Sequence, residues 1–239
     1  MGYEITSLYT EGDYLRGNPC WHAERSPWKA EHVAKGLLAA QIKPVSVCDI
    51  GCGTGLALAE LKRRVTTIEN AVGFEPSSDA PVHPQAKDLI DYRREDATKS
   101  KESFDLAMML DVFEHVEDYI GFLRNCHRLA SYYAFHIPLD ATVVAILTSG
   151  FAAPRKSLGH LHYFTRVSAL ATLEHCGYEP LHWHFTKSGW EGPASPKNNR
   201  NPWSMLNIMR RTIHAFSPEY AHRLLGGLSL LAIAKAIKK

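Results

Sequence analysis

The densest cluster of chemically useful residues is Asp49-Ile50-Gly51-Cys52-Gly53-Thr54-Gly55. Its alternating glycines let the main chain turn sharply and come close to a ligand. The carboxylate of Asp49, two residues ahead of the first glycine, aims negative charge at the same spot. That charge suits an ammonium or sulfonium ligand and repels a pyrophosphate. A dinucleotide fingerprint needs Gly-x-Gly-x-x-Gly, whereas here Leu56 stands where the third glycine should be, which disfavours a nicotinamide-dependent reductase. Taken alone, the turn also admits a purely structural use.

Two further acids extend the pattern. Glu75 closes a short apolar run beyond the glycine turn, where a carboxylate can accept hydrogen bonds from both hydroxyls of a ribose. Asp96, in Arg94-Glu95-Asp96-Ala97, precedes the next apolar run and is placed to take an adenine amino group. Each acid alone reads more readily as a solvated loop residue. Together, at the ends of successive strands, they form a constellation.

Three histidines are candidates for general acid–base work, the imidazole being the side chain that titrates nearest neutral pH. His115 follows Asp111-Val112-Phe113-Glu114, while His160 and His162 lie in Gly159-His160-Leu161-His162-Tyr163-Phe164-Thr165. His115 reads equally as a residue that packs the next helix. His160-x-His162 and His182-x-His184 would each put two imidazoles on one side of a strand. No neighbouring Asp/Glu pattern completes a familiar ligand set, so no metal is expected.

The elements that must hold these residues alternate. Helical spacing from Ala30 to Ile42 ends at Pro44 and gives way to a short strand, Val45 to Ile50. Leu56 to Val65 reads as a helix, then come apolar runs at Ala71 to Phe74, Phe104 to Leu110, Tyr132 to Ile137 and Pro180 to Phe185. Helices are expected at Tyr119 to Leu129 and Val167 to Cys176, with a buried final strand within Leu224 to Ile237. This alternation implies an α/β architecture, a doubly wound and Rossmann-like sheet. Residues 77–101 are polar, and a helix and a short strand are expected there. The chain is read as one domain over 1–239: an N-terminal helical cap (1–43), a ligand-binding core (44–138), two substrate-side insertions (139–165 and 187–226) and the final strand (227–239).

With 27 Lys and Arg against 25 Asp and Glu, the net charge of +2 gives no field suited to nucleic acid. Five widely spaced cysteines contain no Cys-x-x-Cys pair and fit a reducing, cytoplasmic setting. No apolar run approaches the ~20 residues that span a bilayer, so no stable membrane insertion is expected. Oligomeric state is left open.

Asp49 to Gly55, Gly73-Phe74-Glu75-Pro76-Ser77, Asp96-Ala97 and Phe104-Asp105-Leu106 resemble the successive motifs of class I S-adenosylmethionine-dependent methyltransferases. Asp111-Val112-Phe113-Glu114-His115-Val116 resembles the post-strand segment of their ubiquinone/menaquinone-biosynthesis-like, small-molecule branch. The likeness covers roughly residues 45 to 137. It implies a mostly parallel sheet with an antiparallel last strand and S-adenosyl-L-methionine as cofactor. It further implies that Asp49 and the turn Gly51, Cys52, Gly53 and Gly55 meet the methionine part, Glu75 with Pro76 the ribose, and Asp96 with Ala97 the adenine. Leu110 and Asp111 would line the sulfonium side. The segment Asn18 to Ala30, with Trp21 and Trp28, resembles the entry segment of methyltransferases from bacterial glycan or natural-product pathways, and suits a cap over the cofactor.

Transfer of a methyl group from sulfonium needs alignment more than machinery, although an oxygen acceptor gains from a base. His115, His160 and His162 are the candidates. Trp183, Trp190, Trp203, Phe151, Tyr163 and Phe164 in and around the insertions suggest an apolar or planar-faced acceptor pocket. The expected reaction is O-methylation of a small molecule or glycan. N- or C-methylation and a non-catalytic cofactor-binding scaffold are the alternatives.

Overall fold

The computed structural model describes residues 13–148, 150–191 and 205–237. A short helix α1 (Asp13–Gly17) and a 3-10 turn (Ala23–Arg25) lead into α2 (Ser26–Ala39). The core then alternates β1 (Ser46–Ile50), α3 (Leu56–Arg64), β2 (Asn70–Phe74), β3 (Asp91–Arg93), β4 (Phe104–Leu110), α4 (Tyr119–Cys126) and β5 (Ala130–Pro138). Beyond it come α5 (Val143–Leu147), α6 (Ala152–Ser157), α7 (Arg166–His175), β6 (Tyr178–Thr186), α8 (Met205–Phe216), α9 (Pro218–Leu225) and β7 (Ser229–Ala236).

The seven strands form one sheet in the order β3-β2-β1-β4-β5-β7-β6. β1 to β5 are mutually parallel, and β7 runs antiparallel between β5 and β6. The doubly wound α/β architecture with an antiparallel final strand is therefore as expected. Parallel strands must be covered on both faces, and they are. Val33 and Leu37 of α2 and Leu58 and Leu61 of α3 pack on Val47, Leu106, Met108 and Ile233. Phe122 and Leu123 of α4 and Ala169 and Leu173 of α7 pack on Phe74, Met109, Tyr133, Phe135 and Tyr178 on the other face.

Helix α2 lies unusually close to β7. A β-carbon on Gly36 would stand 2.9 Å from side-chain atoms of both Ile233 and Leu231. This close seat fixes the angle at which the N-terminal segment crosses the sheet, and so where Trp21, Arg25 and Lys29 end up.

The polar stretch departs from expectation. β3 forms, but between β2 and β3 the chain makes turns and no helix. Pro81 and Pro84 lack the N–H that a helix interior needs. Arg94 donates instead to the carbonyls of Ser77 and Ala80, and Arg63 to that of Gln85, while Ala80, Ala86 and Ile90 are buried. The run from Leu224 also divides differently: Leu224 belongs to α9, Gly226 and Gly227 take positive φ, and β7 begins at Ser229. Among the described residues no helix is long and apolar enough to cross a membrane.

Candidate active site

The strand order reverses between β1 and β4, and in an open α/β sheet that is where a crevice opens beyond the carboxyl ends of the strands. A cleft of about 560 Å³ lies there. One wall is the glycine turn with Asp49. A second is the cap, through Trp21, His22, Arg25 and Lys29. The far end is built by His115, Asp140, Pro154, Leu158, His160, Asn207 and Arg210.

Gly51, Gly53 and Gly55 have φ of 71°, 54° and 75°, the left-handed region that side chains resist. At Gly53 space is short as well, because a β-carbon would stand 2.9 Å from Cδ1 of Trp21. Trp21 and His22 themselves sit at φ 46° and 57°, so the cap bends sharply over the turn. Gly55 lies outside the cleft lining, where its added β-carbon would meet Ile90 and Tyr92.

Asp49 is 2% exposed, and its Oδ1 has no hydrogen-bond partner among the described residues. Burial pushes its carboxyl up to about 8; Glu75 adds to the shift and Lys29 opposes it. A buried carboxyl with an unsatisfied oxygen is costly unless a cation arrives.

Glu75 is also buried, and it is tied to the main chain. Its Oε2 accepts from Gly53 N at 2.9 Å and its Oε1 from Ser77 N at 2.8 Å. Burial raises this carboxyl above its ordinary value, partly offset by those two N–H groups and Arg94. Asp96 caps the 3-10 turn that includes Ala97, its Oδ1 accepting from Thr98 N (2.9 Å) and Thr98 Oγ1 (2.7 Å). Glu75, Pro76, Asp96 and Ala97 thus gather at the ends of β2 and β3, beyond the lining of the cleft. Tyr92, in β3, donates from its hydroxyl to Gly53 O at 2.8 Å and braces the turn.

Leu110 and Asp111 line the cleft at the end of β4. Asp111 has φ 61°, and its carboxylate is held by Lys29 Nζ at 2.8 Å and His136 Nδ1 at 2.5 Å. Burial alone would raise this carboxyl; His136 and Lys29 outweigh it and hold Asp111 well below the ordinary range. His136, 1% exposed, is pushed down by burial despite Asp111, so the pair is best written as an anionic Asp111 accepting a hydrogen bond from Nδ1–H of a neutral imidazole. The other ring nitrogen, Nε2, lies 2.8 Å from Thr186 Oγ1. Neither Lys29 nor His136 stood out in the sequence; a lone histidine inside the apolar run Tyr132 to Ile137 was the available signal.

The three candidate bases separate. His160 Nδ1 lies 2.9 Å from Asp140 Oδ2, an arrangement that orients the ring within the cleft wall. His115 also lines the cleft, edge-on to His160 with ring centroids 4.9 Å apart. Burial and then His160 push its imidazole down to about 3, so it is neutral near pH 7. His162 is not brought to the cleft: its Nε2 donates to the carbonyl of Val116 at 2.9 Å, and its ring packs on Tyr119. Residues 158–165 are loop and not strand, which is why His160 and His162 diverge.

The loop also completes a ligand set that spacing did not reveal. Ligand atoms of Glu114, His115 and His160 lie within 4.8 Å of one another. Glu114 is 1% exposed, burial and then Asp111 raise its carboxyl well above the ordinary value, and both its oxygens lack hydrogen-bond partners among the described residues. Two imidazoles and one carboxylate have the composition to hold a divalent cation. On strand β6, His182 and His184 instead meet each other at 3.3 Å, and His184 meets His32 at 3.1 Å.

The aromatic pocket expected from the insertions is not what lines the cleft. Phe164 is buried against Phe113 and Tyr119 in the core, Phe151 packs on Tyr163, and Trp183 lies under Arg166 at the surface. Trp190 lies beside His214, and Trp203 falls outside the described residues. Among the described residues, the indole of Trp21, from the cap, is the ring of a Trp, Tyr or Phe that lines the cleft.

Comparison with known proteins agrees with this architecture. A family model described as a methyltransferase domain matches residues 21–182. The ubiquinone biosynthesis O-methyltransferase of Stutzerimonas stutzeri is 30% identical over 191 residues, covering 69% of this chain and 78% of that one. That of Rhizobium rhizogenes is 32% identical over 124 residues, covering 48% of this chain and 45% of the relative, so the chain spans under half the length of that relative. Among solved structures, magnesium protoporphyrin IX methyltransferase from Synechocystis PCC 6803 with bound SAH superposes with a TM-score of 0.60 at 13% identity, covering 97% of both chains. From the matched domain and the sheet that carries it, the chain belongs to the methyltransferase-domain family, in its class I S-adenosylmethionine-dependent branch.

Proposed function

We propose that this chain methylates an oxygen of a small molecule or glycan, with S-adenosyl-L-methionine as donor and His160 as the base that takes the acceptor proton. The observation that carries this reading is the His160–Asp140 pair, 2.9 Å apart, in the wall of the same cleft that holds the orphaned carboxyl of Asp49.

The residues suit the donor. An uncompensated buried carboxyl at Asp49 matches the positive charge of the methionine part, and the N–H-rich turn Gly51, Cys52, Gly53 lies beside it. Glu75 with Pro76, and Asp96 with Ala97, extend the site toward ribose and adenine, with Gly55 keeping the turn open. When bound, S-adenosyl-L-methionine supplies a methyl group already attached to a good leaving group.

The chain then has three tasks. The cap, anchored by Lys29 on Asp111 and Leu110, covers the glycine turn and excludes water. Asp140 holds the His160 imidazole so that its other nitrogen can accept a proton from the acceptor hydroxyl as that oxygen becomes nucleophilic. His115, neutral beside it, keeps a second positive charge away from the ring. A cytoplasmic place of action accords with the five free cysteines.

The test is direct. Calorimetric titration with S-adenosyl-L-methionine and S-adenosylhomocysteine should give saturable binding, with NADH silent. A screen of phenols, sugars and amines with labelled donor should then transfer label to oxygen. Label on nitrogen or carbon would overturn the oxygen assignment, and no binding of either ligand would overturn the donor.

A further inference from the structure

The net charge of +2 conceals an uneven distribution. Residues 141–173 and 192–218 hold seven of the 27 Lys and Arg and none of the 25 Asp and Glu, leaving 20 cations against 25 carboxylates elsewhere. These two stretches supply α5, α6, most of α7 and α8.

The described helices of the same stretches expose large apolar side chains. On α5, Ile146 is 66% and Leu147 78% exposed; on α8, Met205 is 79% and Phe216 88% exposed, with Ile208 and Met209 half-exposed between them. Met205, Met209 and Phe216 fall on one stripe of α8 at helical spacing. Single exposed apolar residues need no explanation, but a run of them on adjoining helices does. Helix α9 packs against both α5 and α8, and joins them into one surface. Arg155, Lys156 and Arg211 are exposed there, and among the described residues none of them has a carboxylate within ion-pair distance.

This surface rims the cleft. Pro154 of α6 and Leu206, Asn207 and Arg210 of α8 line the cavity from the same helices.

We infer that the α5–α6–α8 face rests on an anionic bilayer surface, its apolar side chains entering the headgroup boundary and its cations meeting lipid phosphates. Basic helices with one apolar face bind membranes in this way without spanning them. A second copy of the chain is the less suitable occupant, since a two-fold contact through this face would bring Arg155, Lys156 and Arg211 against like charges, while the acid of the joining helix, Glu219, is already paired with Arg166 and Arg223. The inference goes beyond the methyl-transfer reading and does not need it, though it would place the cleft mouth at the membrane, where an apolar acceptor resides.

The experiment is flotation of the full chain with vesicles of phosphatidylglycerol in phosphatidylcholine, against phosphatidylcholine alone. Wild type should float with the anionic vesicles only and be released by salt. Lys156→Glu with Arg211→Glu should weaken partitioning by at least about thirtyfold. Ile146→Ser with Leu147→Ser should weaken it at unchanged charge. Calorimetry with S-adenosylhomocysteine on the same variants reports the fold and the donor site separately, so either reading can fail alone. If the variants do not fold, the lipid and salt dependence of the wild type decides. Wild type that stays in solution, that floats equally with neutral vesicles, or that forms a dimer which the variants abolish would overturn the inference.

Discussion

Lys29 Nζ stands 2.8 Å from Asp111 Oδ2, joining the cap helix to the end of β4 across the cleft. His136 holds the other carboxylate oxygen. The pair is partly buried, with the lysine side chain 13% and the aspartate 25% exposed. Removing the lysine leaves a carboxylate facing a neutral imidazole. Lys29→Met should cost on the order of 2 kcal/mol, between the surface and fully buried limits. Thermal melts measure that loss, and the affinity for S-adenosylhomocysteine should fall with it as the cap loosens. Asp111→Asn should keep the backbone, because asparagine tolerates φ 61°.

The dyad makes a kinetic prediction. His160→Gln should lower kcat by about 10²–10⁴-fold with donor affinity unchanged, the range for a general base. Asp140→Asn should lower kcat less, because the ring stays in place with its tautomer disturbed. Single-turnover transfer of labelled methyl would separate this from slow product release. A loss confined to donor binding would remove His160 from the role.

Gly53 is the sharpest test of the turn. Gly53→Ala must accept a left-handed backbone and a contact of 2.9 Å to Trp21, at a cost of ~1–2 kcal/mol from backbone strain alone. Gly53→Asp should abolish donor binding, since a carboxylate would enter beside Asp49. Unchanged affinity in calorimetry would show that the methionine part lies elsewhere.

Asp49 predicts a pH dependence with a definite sign. Its carboxyl is raised to about 8, so below that pH it is protonated in the unliganded protein. A cationic ligand needs it ionised, and binding must release a proton. Affinity should therefore fall about tenfold per pH unit below 8, and level off above. Stability of the unliganded protein runs the other way, falling as pH rises through about 8, because the buried group must then carry charge. Calorimetry in two buffers of different ionisation enthalpy counts the proton, and Asp49→Asn should remove both dependences.

How much of this was readable beforehand depended on the range of the interactions. The glycine turn, Asp49 and the strands that flank them are local patterns, in which apolar runs end at residues of restricted or unusual backbone. Residues 77–101 misled because polar composition and spacing cannot show that Arg94, from beyond β3, and Arg63, from α3, take carbonyls of the turns between β2 and β3 in place of a helix's own hydrogen bonds. The site's cationic wall was hidden for another reason. Lys29 lies on a helix where it reads as a solvated residue, but that helix is seated closely on β7 at Gly36 and sets Lys29 against Asp111. Glu114 was read as part of a motif, while its meeting with His160 depends on the loop at 158–165 returning to it: Leu161 N and His162 N both donate to the Glu114 carbonyl. Aromatic residues in the insertions were visible, but their burial was not.

The placement of β7 between β5 and β6 bears on how the chain is made. Among the described residues β6 pairs only with β7, yet it leaves the ribosome first. Until β7 arrives, β6 is a strand with neither edge satisfied, with Trp183 and Leu181 exposed even in the finished protein. Synthesis thus passes through an interval in which β1 to β5 can already pair while β6 waits some 40 residues for its partner. During that interval the cleft still lacks the wall that Gly227 and Ser229 complete.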